Sequence, residues 1–341
     1  MPKYWMISDR NIVIGVDGMQ SGFGVNRGAL TFWTSDAAPP AMLDAVSDWT
    51  QTTADDFKRQ LIQAAGQFPL LSPGDNENQK HVSFFVHGYN NGWQDAARRY
   101  KTLVSNLFDG PDSLGVCVSF DWPSYDSVLG YFPDREHARQ CAADLTTLLS
   151  EVYDWLLVMQ RAAVTNTDNA CRAKVSIIAH SMGGFLLQKA ANATWTRKNQ
   201  PLLASLMNQV VMVAEDVDNT LFDSNSCDAV DGEALSNLSY RITSLYSGRD
   251  AVLGAAAGLE HFGERRLGRS GLSSRPPPGK SNVWDVDCSS FFSPSTTGLE
   301  IHGAYFETDE TLVLMRNVLK GIDRGVLTTL GLTEGTAWPP P

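Results

Sequence analysis

The chain has 341 residues, 43% of them hydrophobic, enough to bury a sizeable core. Its formal net charge of -11 opposes non-specific binding to nucleic acid or anionic membranes, and no basic stripe offsets it. No run is long and apolar enough to span a bilayer, and the opening residues lack the apolar core of a signal peptide. The five cysteines are scattered without a C-x-x-C pair, so the expectation is a cytoplasmic chain with reduced thiols.

Asn11–Val16 alternates as a strand. Gly22, Gly24 and Gly28 mark a turn, and Gly28–Thr34 reads as the second strand of a hairpin. A nucleotide-binding loop needs other glycine spacing and a helix after it. Thr53 caps an amphipathic helix over Ala54–Gln67, with Phe57, Leu61 and Ala64 on one face. Pro73–Lys80 is a polar break, and too little chain precedes it for a separate core.

The strand His81–Val86, a helix over Gln94–Leu107, the strand Gly115–Asp121 and a long helix from Asp134 to Arg161 follow. Val175–Ala179 is a strand buried on both faces. After it, Phe185, Leu186, Leu187, Ala190 and Ala191 recur at helical spacing. Asn208–Ala214 is a strand, Gly232–Leu238 a short helix and Arg241–Tyr246 another strand. Gly263–Ser281, rich in Gly, Ser, Arg and Pro, reads as a long surface loop. Val283–Cys288 is the last strand, with His302 in the loop beyond it. Thr308 caps a final helix to Lys320, stopped by Gly321.

Residues 1–330 therefore read as one α/β domain, with N-terminal strands and helix to residue 75 and a core over 80–325. Residues 331–341 read as a disordered tail. Strands alternating with helices make a mainly parallel, doubly wound sheet with helices on both faces. Ligands of such sheets bind at the carboxyl ends of the strands. The segment after Ala214 is too short for a large cap domain.

Ala179-His180-Ser181-Met182-Gly183 resembles the G-x-S-x-G nucleophile elbow of α/β-hydrolases, with Ala179 in place of the first glycine. A strained turn there needs small residues on either side of the serine, and Ala179 and Gly183 supply them. Serine chemistry further needs a base, an acid to hold the base, and donors for the developing oxyanion. In that fold they follow in the order Ser, acid, His. His81, His87, His137 and His180 come too early, which leaves His261 and His302. His302 lies after the last strand and is the expected base; His261 is expected as a surface loop residue. Asp250, just past the strand Arg241–Tyr246, is favoured as the acid over Asp216, while Asp218 solvates a loop. The backbone N–H groups of Met182 and Tyr89 are the expected oxyanion donors, with Gly88 allowing the tight turn. His87 and His180 are expected to shape the pocket, as is Asp216 if it is not the acid; Trp122 either walls the substrate site or lies in the core.

No metal or cofactor motif is present: there is no H-E-x-x-H, Cys/His cluster or Walker loop. The motifs Phe84–Asn90, Ser119–Ser124, Ile177–Gly183, Ala214–Asp218 and Tyr246–Asp250 occur in order. Together they resemble a bacterial α/β-hydrolase family catalogued as a domain of unknown function, over about 81–306. The resemblance implies the α/β-hydrolase fold and a triad on Ser181, Asp250 and His302. The expected activity is hydrolysis of a small-molecule or lipid-like carboxylic ester with short to medium acyl groups. A lipase, thioesterase, amidase or acyltransferase on the same triad, or a non-catalytic binding protein, is the alternative.

Overall fold

The computed structural model describes residues 2–38, 41–69, 75, 78–125, 130–165, 172–198, 205–275 and 280–333. β1 (Tyr4–Ile14) and β2 (Gln20–Ser35) form a bulged antiparallel hairpin, and β3 (Thr50–Thr52) adds to it. α1 (Ala54–Gly66) starts after Thr53, whose hydroxyl accepts from the Asp56 N–H at 3.1 Å. Then β4 (His81–Val86), α2 (Trp93–Leu103), β5 (Gly115–Asp121), α3 (Tyr131–Thr165), β6 (Lys174–His180), α4 (Met182–Lys198), β7 (Met207–Val213), α5 (Ala229–Leu238) and β8 (Ser239–Tyr246) alternate. α6 (Ala251–Ala255), α7 (Leu267–Ser270), β9 (Val283–Asp287), α8 (Gly298–Ala304), α9 (Asp309–Lys320) and α10 (Arg324–Thr329) follow.

The nine strands make one sheet in the order β3-β2-β1-β5-β4-β6-β7-β8-β9. Pairing is antiparallel within the hairpin and parallel from β1 onward. Alternate side chains of the central strands face opposite layers. Phe84, Val86, Ile177, Ala179, Val210 and Met212 pack toward α1, α3, α4 and α5. Phe85, Ile178, Val211 and Val213 pack toward α2, α8, α9 and α10. Both faces are covered, so these strands read as unbroken apolar runs.

β4 and β5 span the expected residues, and α9 ends at Gly321 with φ 80° as expected. β1 begins earlier than expected. Tyr4–Ile7 are all buried because Trp5 and Ile7 enter one core layer and Tyr4 and Met6 the other, which removes the alternation that marks a half-buried strand. Gly22, Gly24 and Gly28, expected as a turn, lie inside β2; the turn is at 15–19.

Two further corrections touch the site. Gly263–Ser281 is not a surface loop in its first part. Arg266 and Leu267 are fully buried and Gly268 is buried, and the Leu267 and Gly268 N–H groups donate to Val217 O and Glu215 O at 2.9 and 3.1 Å. His302 lies on α8, not in a loop. That helix starts with a capping box: the Glu300 N–H donates to Thr297 Oγ1 at 3.4 Å, and the Thr297 N–H to Glu300 Oε2 at 2.8 Å. Half of Pro73–Lys80, together with Cys171, Pro276–Pro278 and residues 334–341, falls outside the described residues. Cys117, Cys141, Cys227 and Cys288 are free thiols. Among the described residues no helix is long and apolar enough to cross a membrane.

Candidate active site

β6 runs into α4 through a single turn residue, Ser181, which holds φ at 53° although it carries a side chain. That left-handed conformation is strained for a non-glycine residue. It is held by the Ser181 N–H donating to Val213 O at 3.0 Å, and by the Gly184 and Asp216 N–H groups donating to Ser181 O at 2.9 and 3.0 Å. Space is equally tight. A Cβ on Gly183 would lie 2.5 Å from Val86 O, and one on Gly88 2.6 Å from the Ser181 Cβ. The glycine expected at 183 is thus demanded by close backbone approach.

Ser181 Oγ lies 2.9 Å from His302 Nε2, and His302 Nδ1 lies 2.8 Å from Asp250 Oδ2. A carboxylate only accepts, so Nδ1 carries the proton and Nε2 is left to accept from the serine hydroxyl. Asp250 is fully buried at the N-cap of α6, where its Oδ1 accepts from the Leu253 N–H at 2.9 Å. Arg269 donates to the Asp250 carbonyl. His180 lies behind the triad, against the Gly88 loop. It is buried beneath α8, with Nε2 bonded to His302 O at 2.8 Å and Arg99 3.4 Å from its ring nitrogens. Burial and then Arg99 hold it well below the usual imidazole range, so it stays neutral.

Met182 opens α4, so its N–H belongs to the set that a helix start leaves outside the internal ladder. Gly88 and Tyr89 lie in the loop after β4, pressed on the elbow. His87 is buried under that loop, stacked on Trp122 with ring centroids 5.3 Å apart and planes 7° apart. Trp122 is fully buried, and its indole N–H donates to His87 O at 2.7 Å, so it braces the loop rather than lining a pocket.

Asp216 is engaged elsewhere. Arg266 Nε donates to its Oδ1 at 2.8 Å and Tyr131 Oη to its Oδ2 at 2.5 Å, with Arg135 3.8 Å away. Burial opposes its ionisation, yet Arg266 and Arg135 hold its pKa below the usual carboxylate value. His261 is drawn into this group by a hydrogen bond with the Tyr131 hydroxyl, contrary to its expected place on the surface. Burial, then Arg266, pushes its pKa down to about 4. Asp218 pairs with the same Arg266. Asp218, Cys227 and Asp228 bring ligand atoms within 4.8 Å of one another, but Arg266 already neutralises Asp218 and opposes a cation there.

Arg10, Asp121, Asn91, Tyr131, Arg135 and Arg266 escape sequence reasoning. Each acts across the fold, and no local spacing links Arg10 to Asp121 or Arg266 to Asp216.

Among solved structures, lipase B of Aspergillus fumigatus is similar at 15% identity and a TM-score of 0.39, over 85% of this chain and 63% of that one. The chain thus spans less than two thirds of that lipase. A hyperthermophilic esterase of the archaeon Pyrobaculum calidifontis is similar at 12% identity and a TM-score of 0.33, over 80% of this chain and 94% of that one. A search of curated protein sequences found no match. The family model described as alpha/beta hydrolase of unknown function (DUF900) matches residues 70–318, well over half of the sequence, and the chain belongs to that family.

Proposed function

We propose that the protein is a serine hydrolase of carboxylic esters. The observation that carries this reading is the unbroken line Ser181 Oγ, His302 Nε2, His302 Nδ1, Asp250 Oδ2, with steps of 2.9 and 2.8 Å at the two ends. His302 takes the proton of Ser181 Oγ as the oxygen attacks the ester carbonyl. The new Oγ–C bond leaves a tetrahedral oxyanion, which the N–H groups of Tyr89 and Met182 stabilise. The bond to the leaving alkoxide then breaks, and His302 returns the proton to it. Water repeats the sequence and frees Ser181 and a carboxylic acid. Asp250 keeps the imidazole in the required tautomer and steadies its transient charge. The short segment between β7 and α5 favours an open site for short to medium acyl groups.

Fluorophosphonate labelling read by intact mass tests the nucleophile. The wild type gains one adduct and Ser181→Ala gains none. An unlabelled wild type, or equal labelling of both, sinks the reading. Comparing p-nitrophenyl esters with matched thioesters and anilides then tests the ester preference, and faster thioester or anilide turnover removes it.

A further inference from the structure

The loop that carries Tyr89 is held by side chains from three separate parts of the chain. Gly88 O accepts from His87 Nδ1 at 2.9 Å and from Asn91 Nδ2 at 3.0 Å. Tyr89 O accepts from Asn91 Nδ2 at 2.8 Å. Asn91 O accepts from Arg10 Nη2 at 2.9 Å. Arg10 comes from β1, outside the stretch the family model matches, and is 1% exposed. Its Nε donates to Asp121 Oδ1 at 2.8 Å and its Nη1 to Ser124 O and Gly24 O at 3.2 and 3.3 Å. Asp121 Oδ2 accepts from Ser8 Oγ at 2.9 Å, and Oδ1 lies 3.3 Å from His87 Nε2. The guanidinium therefore ties β1, the end of β5 and the Tyr89 loop together.

In a planar trans peptide the C=O and the following N–H point in opposite directions. Gripping Gly88 O from one side therefore turns the Tyr89 N–H to the other, and Gly88 itself abuts Ser181. We propose that Arg10, Asp121, His87 and Asn91 are positioning residues that aim the Tyr89 N–H at the oxyanion formed on Ser181; this inference rests on the serine-hydrolase reading above. A buried Arg–carboxylate pair contributes little net stability against an apolar replacement. Its yield here is geometry: a donor fixed before charge develops needs no reorganisation during the reaction.

The test uses the full chain with Asn91→Ala, Arg10→Met and Arg10→Ala. Active sites are counted by fluorophosphonate titration, so misfolded protein does not enter the rate. With p-nitrophenyl butyrate, kcat per titrated site is expected to fall about 10²-fold, the effect of losing an oxyanion donor. KM is expected to move less than about threefold, because the ground-state ester does not use the donor fully. Inhibition by a trifluoromethyl ketone, whose serine adduct carries the oxyanion, weakens by a factor similar to the loss in kcat. Millimolar guanidine is expected to restore part of the rate of Arg10→Ala and none of that of Asn91→Ala. Should the Arg10 variants fail to fold, Asn91→Ala decides alone. Wild-type kcat per titrated site together with wild-type ketone affinity overturns the inference and leaves the hydrolase reading standing. A wild type that takes no label at Ser181 removes that reading, and the inference with it.

Discussion

Ser181 shows how much one residue can reveal. Its strained φ of 53° needs small neighbours, and small neighbours leave a mark in the local sequence. Asp250 and His302 leave no local mark; their order along the chain singles them out. The choice between Asp250 and Asp216 turns on a third residue, Arg266, which engages Asp216 from within an Arg/Pro-rich stretch that reads as surface. Asp250→Asn is expected to lower kcat by about 10⁴-fold by disturbing the His302 tautomer. Asp216→Asn is expected to change kcat by less than about tenfold, because the Asp216 carboxylate touches neither Ser181 nor His302 and the backbone N–H that holds Ser181 O is kept. It should instead lower stability by about 3 kcal/mol, because Arg266 loses a buried partner. Kinetics and thermal melts on the two variants separate the roles, and a larger kcat loss in Asp216→Asn reverses the assignment. His302→Ala should likewise abolish turnover while His261→Ala, measured on the same ester, does not.

Among elements, the parallel strands were the most legible, since burial on both faces writes them as apolar runs. Short helices between strands were the least legible. α7 is too short for periodicity and is held by contacts with the end of β7. A Cβ on Gly268 would lie 2.2 Å from the Glu215 N, so the α7 segment depends on that glycine for its approach. Gly268→Ala is expected to destabilise by about 3 kcal/mol through overpacking against backbone. An unchanged melting temperature would show that α7 yields without cost. α8 has a readable signal, the Thr297-x-x-Glu300 capping box, yet the helix is only seven residues long. Thr297→Ala is expected to cost about 1 kcal/mol, measured by denaturant unfolding.

At the scale of the molecule, buried ionisable groups set the pH range of stability. Glu215 is fully buried, and burial raises its pKa to about 8. Between about pH 4.3 and 8 the unfolded chain releases this proton while the native state keeps it, so stability falls as pH rises through that window. His81 and His261 act at the other end. Burial lowers them to about 3 and about 4, so below about pH 6.5 the unfolded chain binds protons that the native state refuses, and stability falls as pH drops. Glu215→Gln removes only the first effect. Its melting temperature relative to wild type is expected to climb from pH 5 to 8 and then level off; a constant difference would show that Glu215 ionises normally in the fold.

The place of β1 in the sheet also has a consequence in time. During synthesis β1 and β2 emerge before β5, but the parallel partner that closes on Trp5–Ser8 is Val118–Asp121, made much later. Until then the hairpin is a narrow ribbon with one edge open to other chains. The same closure brings Arg10 to Asp121. A nascent chain halted before β5 therefore lacks both the seal on β1 and the Asp121 that anchors Arg10 beneath the Tyr89 loop, so maturation of the candidate site is tied to the capture of β1.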